Sequence, residues 1–263
     1  MAKVLLCGYA TIDIIGGKKY LGGGAGTLSI SASKKGNHSF LCTALSQDKD
    51  GKWYTGKLKT AKVNLSLSTF KATSLSTCII KNPHGKGSQR IWQSGNIDKY
   101  FKEIHIKKNQ LRSFDGVIVV NANPTLVKTV AGASSKRNIF YIPGPQAVLQ
   151  KNFVVKEIFK QTHTVFANEE EAKYVFARKP FTFGVRYVVV TRGPKNGTVY
   201  LNNGQEHSFK AAEKSRVVDP TGAGDNFALG FALETLKKNS LEKAIETGKK
   251  YAKKVVQKTG GLL

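Results

Sequence analysis

Acidic residues are scarce in this chain: 17 Asp and Glu stand against 42 Lys and Arg, a formal net charge of +25 over 263 residues. That imbalance predicts salt-sensitive attraction to polyanions whatever else the protein does. The lysines are spread in pairs, such as Lys34-Lys35, Lys107-Lys108, Lys237-Lys238 and Lys253-Lys254. No block, tail or nucleic-acid motif accompanies them, so no specific nucleic-acid partner is expected. Cysteine is also sparse. Cys7, Cys42 and Cys78 lack C-x-x-C spacing, which argues against a disulfide framework or thiolate zinc site and for reduced thiols. The five histidines are scattered, none at metal-ligand spacing. No apolar run reaches the length of a membrane span. Met1-Ala2-Lys3 runs straight into Val4-Leu5-Leu6 without the three regions of a signal peptide. A cytoplasmic protein with no membrane contact is expected. Nor does any glycine stand at P-loop spacing before Gly-Lys-Ser or Gly-Lys-Thr.

What the chain does have is an alternation of apolar runs and helical patterns. Val4–Leu6, Phe40–Ala44, Gly116–Val120, Ile139–Ile142, Thr164–Ala167 and Tyr187–Thr191 are apolar throughout, as in buried parallel strands. Between them, helical spacing predicts helices over Gly26–Lys35, Lys52–Lys62, Thr125–Ala133, Val154–Gln161, Glu169–Ala177, Asn226–Lys238 and Leu241–Lys258. The pattern predicts one doubly wound α/β domain over residues 1–263. Two stretches, about 11–20 and 74–96, break the rhythm as extended hairpins, the second turning at Asn82–Gly87.

The densest chemistry lies in residues 219–227, Asp-Pro-Thr-Gly-Ala-Gly-Asp-Asn-Phe. Gly222, Ala223 and Gly224 open an apolar helix, so their unpaired N–H groups face outward at its positive end. That is an anion site. Asp225 sits in the same first turn, where a carboxylate can take a proton from an attacking hydroxyl. Anion hole and base together point to phosphoryl transfer, against the plainer alternative of a glycine-rich turn with one first-turn acid.

The heptad Asp219–Asp225 resembles the C-terminal signature of the ribokinase-like (PfkB) carbohydrate kinases. Four other stretches match that family. They are Gly8 and Asp13 in the first strand, Gly22–Gly26, the Asn-x-x-Glu of Asn168 and Glu171, and Thr191–Gly197. The resemblance implies a three-layer α/β/α sandwich with a mostly parallel central sheet, the two hairpins forming a small β lid. It also implies ATP and Mg²⁺. Asp225 would be the base, with Gly222, Ala223 and Gly224 as the anion hole. Asp13, Gly23, Gly24 and Thr27 would bind substrate hydroxyls, although Thr27 stands where many members carry asparagine. Arg90 would reach in from the lid, or else face water. Asn168 and Glu171 would organise Mg²⁺ and the phosphates. Thr191, Gly193 and Gly197 would border the nucleotide, with Gly248 near adenine and Arg192 either on phosphate or in solvent.

The lid sequence around Gly85–Ile91 and the segment Pro145–Leu149 look most like the inositol kinases of plants and archaea. An inositol-like polyol is therefore the favoured small-molecule acceptor, with ribose, fructose or a nucleoside still open. An exposed lid edge would allow a homodimer. The competing class is a polyanion-binding protein on an inactive kinase scaffold, motivated by the charge. A phosphatase or nucleosidase is remote, for want of a metal cluster or nucleophile–base pair.

Overall fold

Strands that are apolar on every residue must be covered on both faces, and these are. The computed structural model describes residues 1–81, 89–134, 138–145, 155–211 and 216–263, with Gln89 and Val155 in backbone only. The turn expected at Asn82–Gly87, and residues 146–149, lie outside the described residues.

β1 (Lys3–Gly8), β4 (His38–Cys42), β9 (Gly116–Val120), β10 (Ile139–Ile142), β11 (Thr162–Asn168), β12 (Tyr187–Thr191), β13 (Gly197–Leu201) and β14 (Glu206–Phe209) form one sheet. Its order is β14-β13-β12-β11-β10-β9-β1-β4. β4 through β12 run parallel, while β13 and β14 close one edge as antiparallel strands. Phe227 and Phe231 belong to the core, as does the whole of β9 apart from Gly116.

Helices α1 (Gly24–Lys34), α2 (Lys49–Thr60), α3 (Lys108–Arg112), α4 (Pro124–Ala133), α5 (Val155–Phe159), α6 (Glu169–Ala177), α7 (Ala223–Leu236) and α8 (Leu241–Val255) complete the α/β/α sandwich. α7 is apolar nearly all round and runs through the interior, against α1, α8 and the strands β9 and β10. α8 is amphipathic and lays Ala244, Ile245 and Gly248 on it. α1 and α7 both begin earlier than periodicity predicts, because their first turns are glycine-rich and carry no apolar signal. Gly24 and Ala25 are thus helix, not loop.

The two hairpins form a separate sheet of order β3-β2-β7-β8, built from β2 (Thr11–Ile15), β3 (Lys18–Gly22), β7 (Thr77–Lys81) and β8 (Gln89–Gln93). β2 and β3 turn through Gly16 and Gly17 at φ 57° and 75°, the pair of left-handed residues that a tight hairpin turn requires. Register aligns Tyr20, Asp13, Cys78 and Trp92 on one rung and Lys18, Ile15, Ile80 and Arg90 on the next rung of the same face. Ile15, Cys78 and Ile80 make a small apolar cluster of their own, with Tyr20 against it. A short parallel pair, β5 (Ala44–Ser46) and β6 (Thr69–Ala72), lies apart from both sheets. The lid's two chain crossings are tied together below: the Tyr9 hydroxyl donates to Asp98, which also accepts from Asn123 Nδ2 at 2.8 Å.

Candidate active site

From β1 the chain goes to β4 on one side and later crosses back to β9 on the other, so the sheet's topological switch lies beside β1. In open α/β sheets such a switch leaves a crevice outside the C-terminal strand ends. Here the crevice is a cavity of about 310 Å³, bounded by the inner face of the lid and by the first turn of α7.

Gly222 is the N-cap of α7 at φ 75°, a left-handed conformation that glycine adopts without steric cost. Among the described residues the Gly222 and Gly224 N–H groups have no acceptor, but the Ala223 N–H donates to Pro220 O at 3.2 Å. Of the three donors expected here, the Gly222 and Gly224 N–H groups are open and that of Ala223 is engaged. Two buried side chains hold this turn in place. Asp219 accepts the Thr221 N–H at 2.9 Å and the Gly260 N–H at 2.8 Å. Asn226 Nδ2 donates to Gly222 O and Gly261 O, both at 2.9 Å. Both side chains lash the turn to the C-terminal segment.

Asp225 lies at the cavity floor. Burial pushes its carboxyl pKa up, and the Arg90 guanidinium from the lid pulls it part of the way back. A raised carboxylate is a stronger proton acceptor than one in water. Gly24 is required by the same contact. A Cβ there would stand 2.5 Å from Val120 Cγ2 and 3.3 Å from Asp225 Oδ2. The N-termini of α1 and α7 meet at this point.

Asp13 faces the cavity from the lid and is nearly buried. Burial raises its pKa from 3.8 to about 6; Arg90 opposes the shift, and Asp219 adds to it. Its carboxylate fills the space a side chain on Gly22 would take, 2.0 Å from such a Cβ. Gly23 and Thr27 also line the cavity. The Thr27 hydroxyl donates back to Gly23 O at 3.0 Å, so it offers a ligand only its lone pairs.

Asn168 and Glu171 reach the cavity from the β11–α6 junction. They also form a reciprocal helix cap: Asn168 Oδ1 accepts the Glu171 N–H at 2.8 Å, and Glu171 Oε2 accepts the Asn168 N–H at 3.0 Å. One carboxylate oxygen is thus committed to backbone. Burial raises the Glu171 pKa, the Asn168 N–H lowers it, and Asp225 raises it further.

The nucleotide segment is less convergent than expected. Thr191 lines the cavity; Gly193, Gly197 and Gly248 do not. Gly197 gives way to the Phe209 ring, 2.2 Å from where its Cβ would stand, and Gly248 to Phe227 O at 2.8 Å. Both positions are accounted for by packing. Arg192 is held by Glu169 at 3.2 Å and by Thr198 Oγ1 at 3.0 Å, a hairpin brace.

Sequence reasoning missed Trp92, Cys78, Ile80, Asn121 and Phe166, all of which line the cavity. Only Asn121 left a usable signal, as the polar residue that ends the apolar run of β9. Among the described residues no three His, Cys, Asp or Glu are placed to hold a metal ion. No helix there is long and apolar enough to cross a membrane.

The pattern of the pfkB family carbohydrate kinases matches residues 13–262. The chain belongs to that family. It is a phosphotransferase with a hydroxyl acceptor, as pfkB kinases are. The nucleoside kinase of Methanocaldococcus jannaschii is 24% identical over 259 residues, covering 95% of this chain and 83% of that protein. The crystal structure of that organism's nucleoside kinase superposes with a TM-score of 0.84 at 22% identity, over 99% of this chain and 93% of that one. Arabidopsis thaliana ribokinase, solved with ribose and ATP, superposes at 0.81 with 18% identity, over 98% and 94%. Both superpositions agree with the pfkB fold described above.

Proposed function

We propose that the protein transfers the γ-phosphoryl group of ATP to a hydroxyl of an uncharged, ribosyl-type acceptor. The observation that carries this reading is the meeting of Asp225, the Gly222 and Gly224 N–H groups and Asp13 in one cavity. Asp13 orients the acceptor by taking hydrogen bonds from its hydroxyls. Asp225 removes the proton of the attacking hydroxyl as its oxygen bonds to the γ-phosphorus. The bond to the bridging β–γ oxygen breaks and ADP leaves. The α7 N-terminus stabilises the charge on the transferring oxygens, and such fixed donors supply most of the catalysis in this reaction class.

Among the described residues three carboxylates, Asp13, Glu171 and Asp225, line the cavity against the guanidinium of Arg90. That balance favours an acceptor without a phosphate of its own. The family and the ribokinase–ATP neighbour support ATP as donor. Glu171, with one oxygen left by its cap, fits a hard cation that keeps most of its waters, so Glu171 and Asn168 would hold Mg²⁺. When bound, Mg²⁺ would neutralise phosphate charge. The relatives named above support a ribosyl acceptor over the inositol favoured on sequence.

The test is ADP release from MgATP with ribose, fructose, inositols and nucleosides. Turnover with a ribosyl compound is expected; turnover with inositols alone, or with none, would overturn the reading. One observation keeps polyanion binding in view. Lys35 is close enough to Lys254, Lys250, Lys258 and Lys34 for their charges to lower its pKa, after burial, the larger cause. Retention on nucleic acid at physiological salt, lost in a Lys250→Glu/Lys254→Glu variant, would establish that second activity.

A further inference from the structure

We propose that Trp92 determines acceptor specificity, as a lid-borne platform on which the base of a nucleoside stacks while the ribose hydroxyls reach Asp13. The proposal rests on the transferase reading above and narrows its acceptor to nucleosides. Its first support is exposure. Among the described residues Met1, Ile91, Trp92, Phe176 and Val217 are the exposed large hydrophobics, and of these Trp92 alone lines the cavity, with 50% of its surface open. Its neighbour Ile91, 40% exposed, points to the opposite side of the strand. Trp92 therefore belongs to the inner face of the lid, where a ligand rather than a partner protein meets it.

The second support is register. Asp13, Cys78 and Trp92 stand on one rung across three adjacent strands. Two strand spacings separate the carboxylate from the indole, about 9–10 Å of lateral run. A free pentose engages the polar end of such a rung only. A molecule with hydroxyls at one end and a flat aromatic ring at the other spans it. The intervening Cys78 and Ile80 are apolar and buried, so the surface between the two ends suits a ligand's ring edge better than further hydroxyls. Arg90 is the base on the next rung of the same face, near enough for its charge to act on the Asp13 and Asp225 carboxylates. No charged residue stands on the Trp92 rung beyond Asp13.

An indole offers a π-face that every base shares, so stacking on Trp92 gives affinity for nucleosides as a class with little choice among them. Truncating an aromatic partner of a stacked base costs roughly 10- to 100-fold in binding. In Trp92→Ala the KM for nucleosides is therefore expected to rise by about that factor, with kcat kept within about threefold. Trp92→Phe should recover most of the loss, and KM for MgATP and for ribose should not move. An equal rise for ribose and nucleosides, or no rise for either, would overturn the proposal.

A second measurement does not depend on turnover. The chain has two tryptophans, and Trp53 lies outside the cavity in α2. In a Trp53→Phe background all tryptophan emission comes from Trp92. Saturable quenching by nucleosides, absent with ribose, is the expected result; no quenching by nucleosides would overturn the proposal. If quenching occurs but ADP release fails with every acceptor, the stacking site stands and the transferase reading falls. If ribose is phosphorylated and nucleosides neither quench nor turn over, the transferase stands and the stacking site falls.

Discussion

The floor and the roof of the cavity are built in opposite ways. The floor is the first turn of α7 and the turn before it, where seven consecutive residues from Asp219 to Asp225 supply turn, open N–H groups and carboxylate. Its parts are mostly backbone directed by a helix terminus, and Asp219 and Asn226 tie them to Gly260 and Gly261. The roof is the lid, where Asp13, Cys78, Ile80, Arg90 and Trp92 come from three strands and meet only through register. Register sets which side chains face inward, and a slip of one residue would turn every one of them out. On the proposed reading the floor carries the reaction and the roof selects the acceptor.

That division can be broken most decisively at Asp225. Asp225→Asn should lower kcat by about 10²–10⁴-fold, the range for loss of a positioned base. Its fold and ATP affinity should be kept, as read by thermal melting and nucleotide titration. Turnover near that of the parent protein would show that the floor does not hold the base.

At the roof, Asp13→Asn should raise the acceptor KM by about 10- to 100-fold, the loss of a hydrogen-bonded charge, with little change in KM for MgATP. The same variant carries a stability signature. Because burial holds the Asp13 pKa at about 6 rather than 3.8, the folded state keeps its proton more tightly than the unfolded chain. The stability due to that proton is full below pH 4 and is lost as pH rises through about 6. The gap corresponds to about 3 kcal/mol. Asp13→Asn should thus melt higher than the parent at pH 7.5, with the advantage vanishing near pH 4. Equal differences at both pH values would mean Asp13 is not strained at neutral pH.

The smallest effect sharpens the boundary of the floor. Gly248→Ala should cost about 1–3 kcal/mol by overpacking α7 against α8, since the new Cβ meets Phe227 O at 2.8 Å. KM for MgATP should not change in the folded fraction. A selective loss of ATP affinity would instead return Gly248 to the nucleotide site.

The same contrast explains what could be read from the chain. The buried strands and most helices were legible because an apolar run has few places to go. β14 and β6 were not, since half-exposed edge strands carry little hydrophobic signal. Gly222, Ala223, Gly224 and Asp225, the residues named for the floor, all line the cavity, with the Ala223 N–H given to Pro220 O. Asp13 and Arg90 were named from the lid, but Trp92 was passed over because nothing in Arg-Ile-Trp-Gln says which neighbour faces inward. Gly193, Gly197 and Gly248 looked alike as nucleotide glycines, yet a glycine can equally be demanded by a turn or a packed ring.

By itself the sequence determined the reaction class and the sandwich, because both rest on local physics: helix-terminal donors, a first-turn acid, and apolar strands that must be covered. The tertiary structure decided the rest. It placed Trp92 beside Asp13 through two strand pairings. It gathered Lys34, Lys35, Lys250, Lys254 and Lys258, scattered in the chain, around the ends of α1 and α8. And among the described residues it lined the cavity with three acids and one base, inside a protein of net charge +25. None of these is a property of neighbours along the chain. Each depends on which surfaces the fold brings face to face.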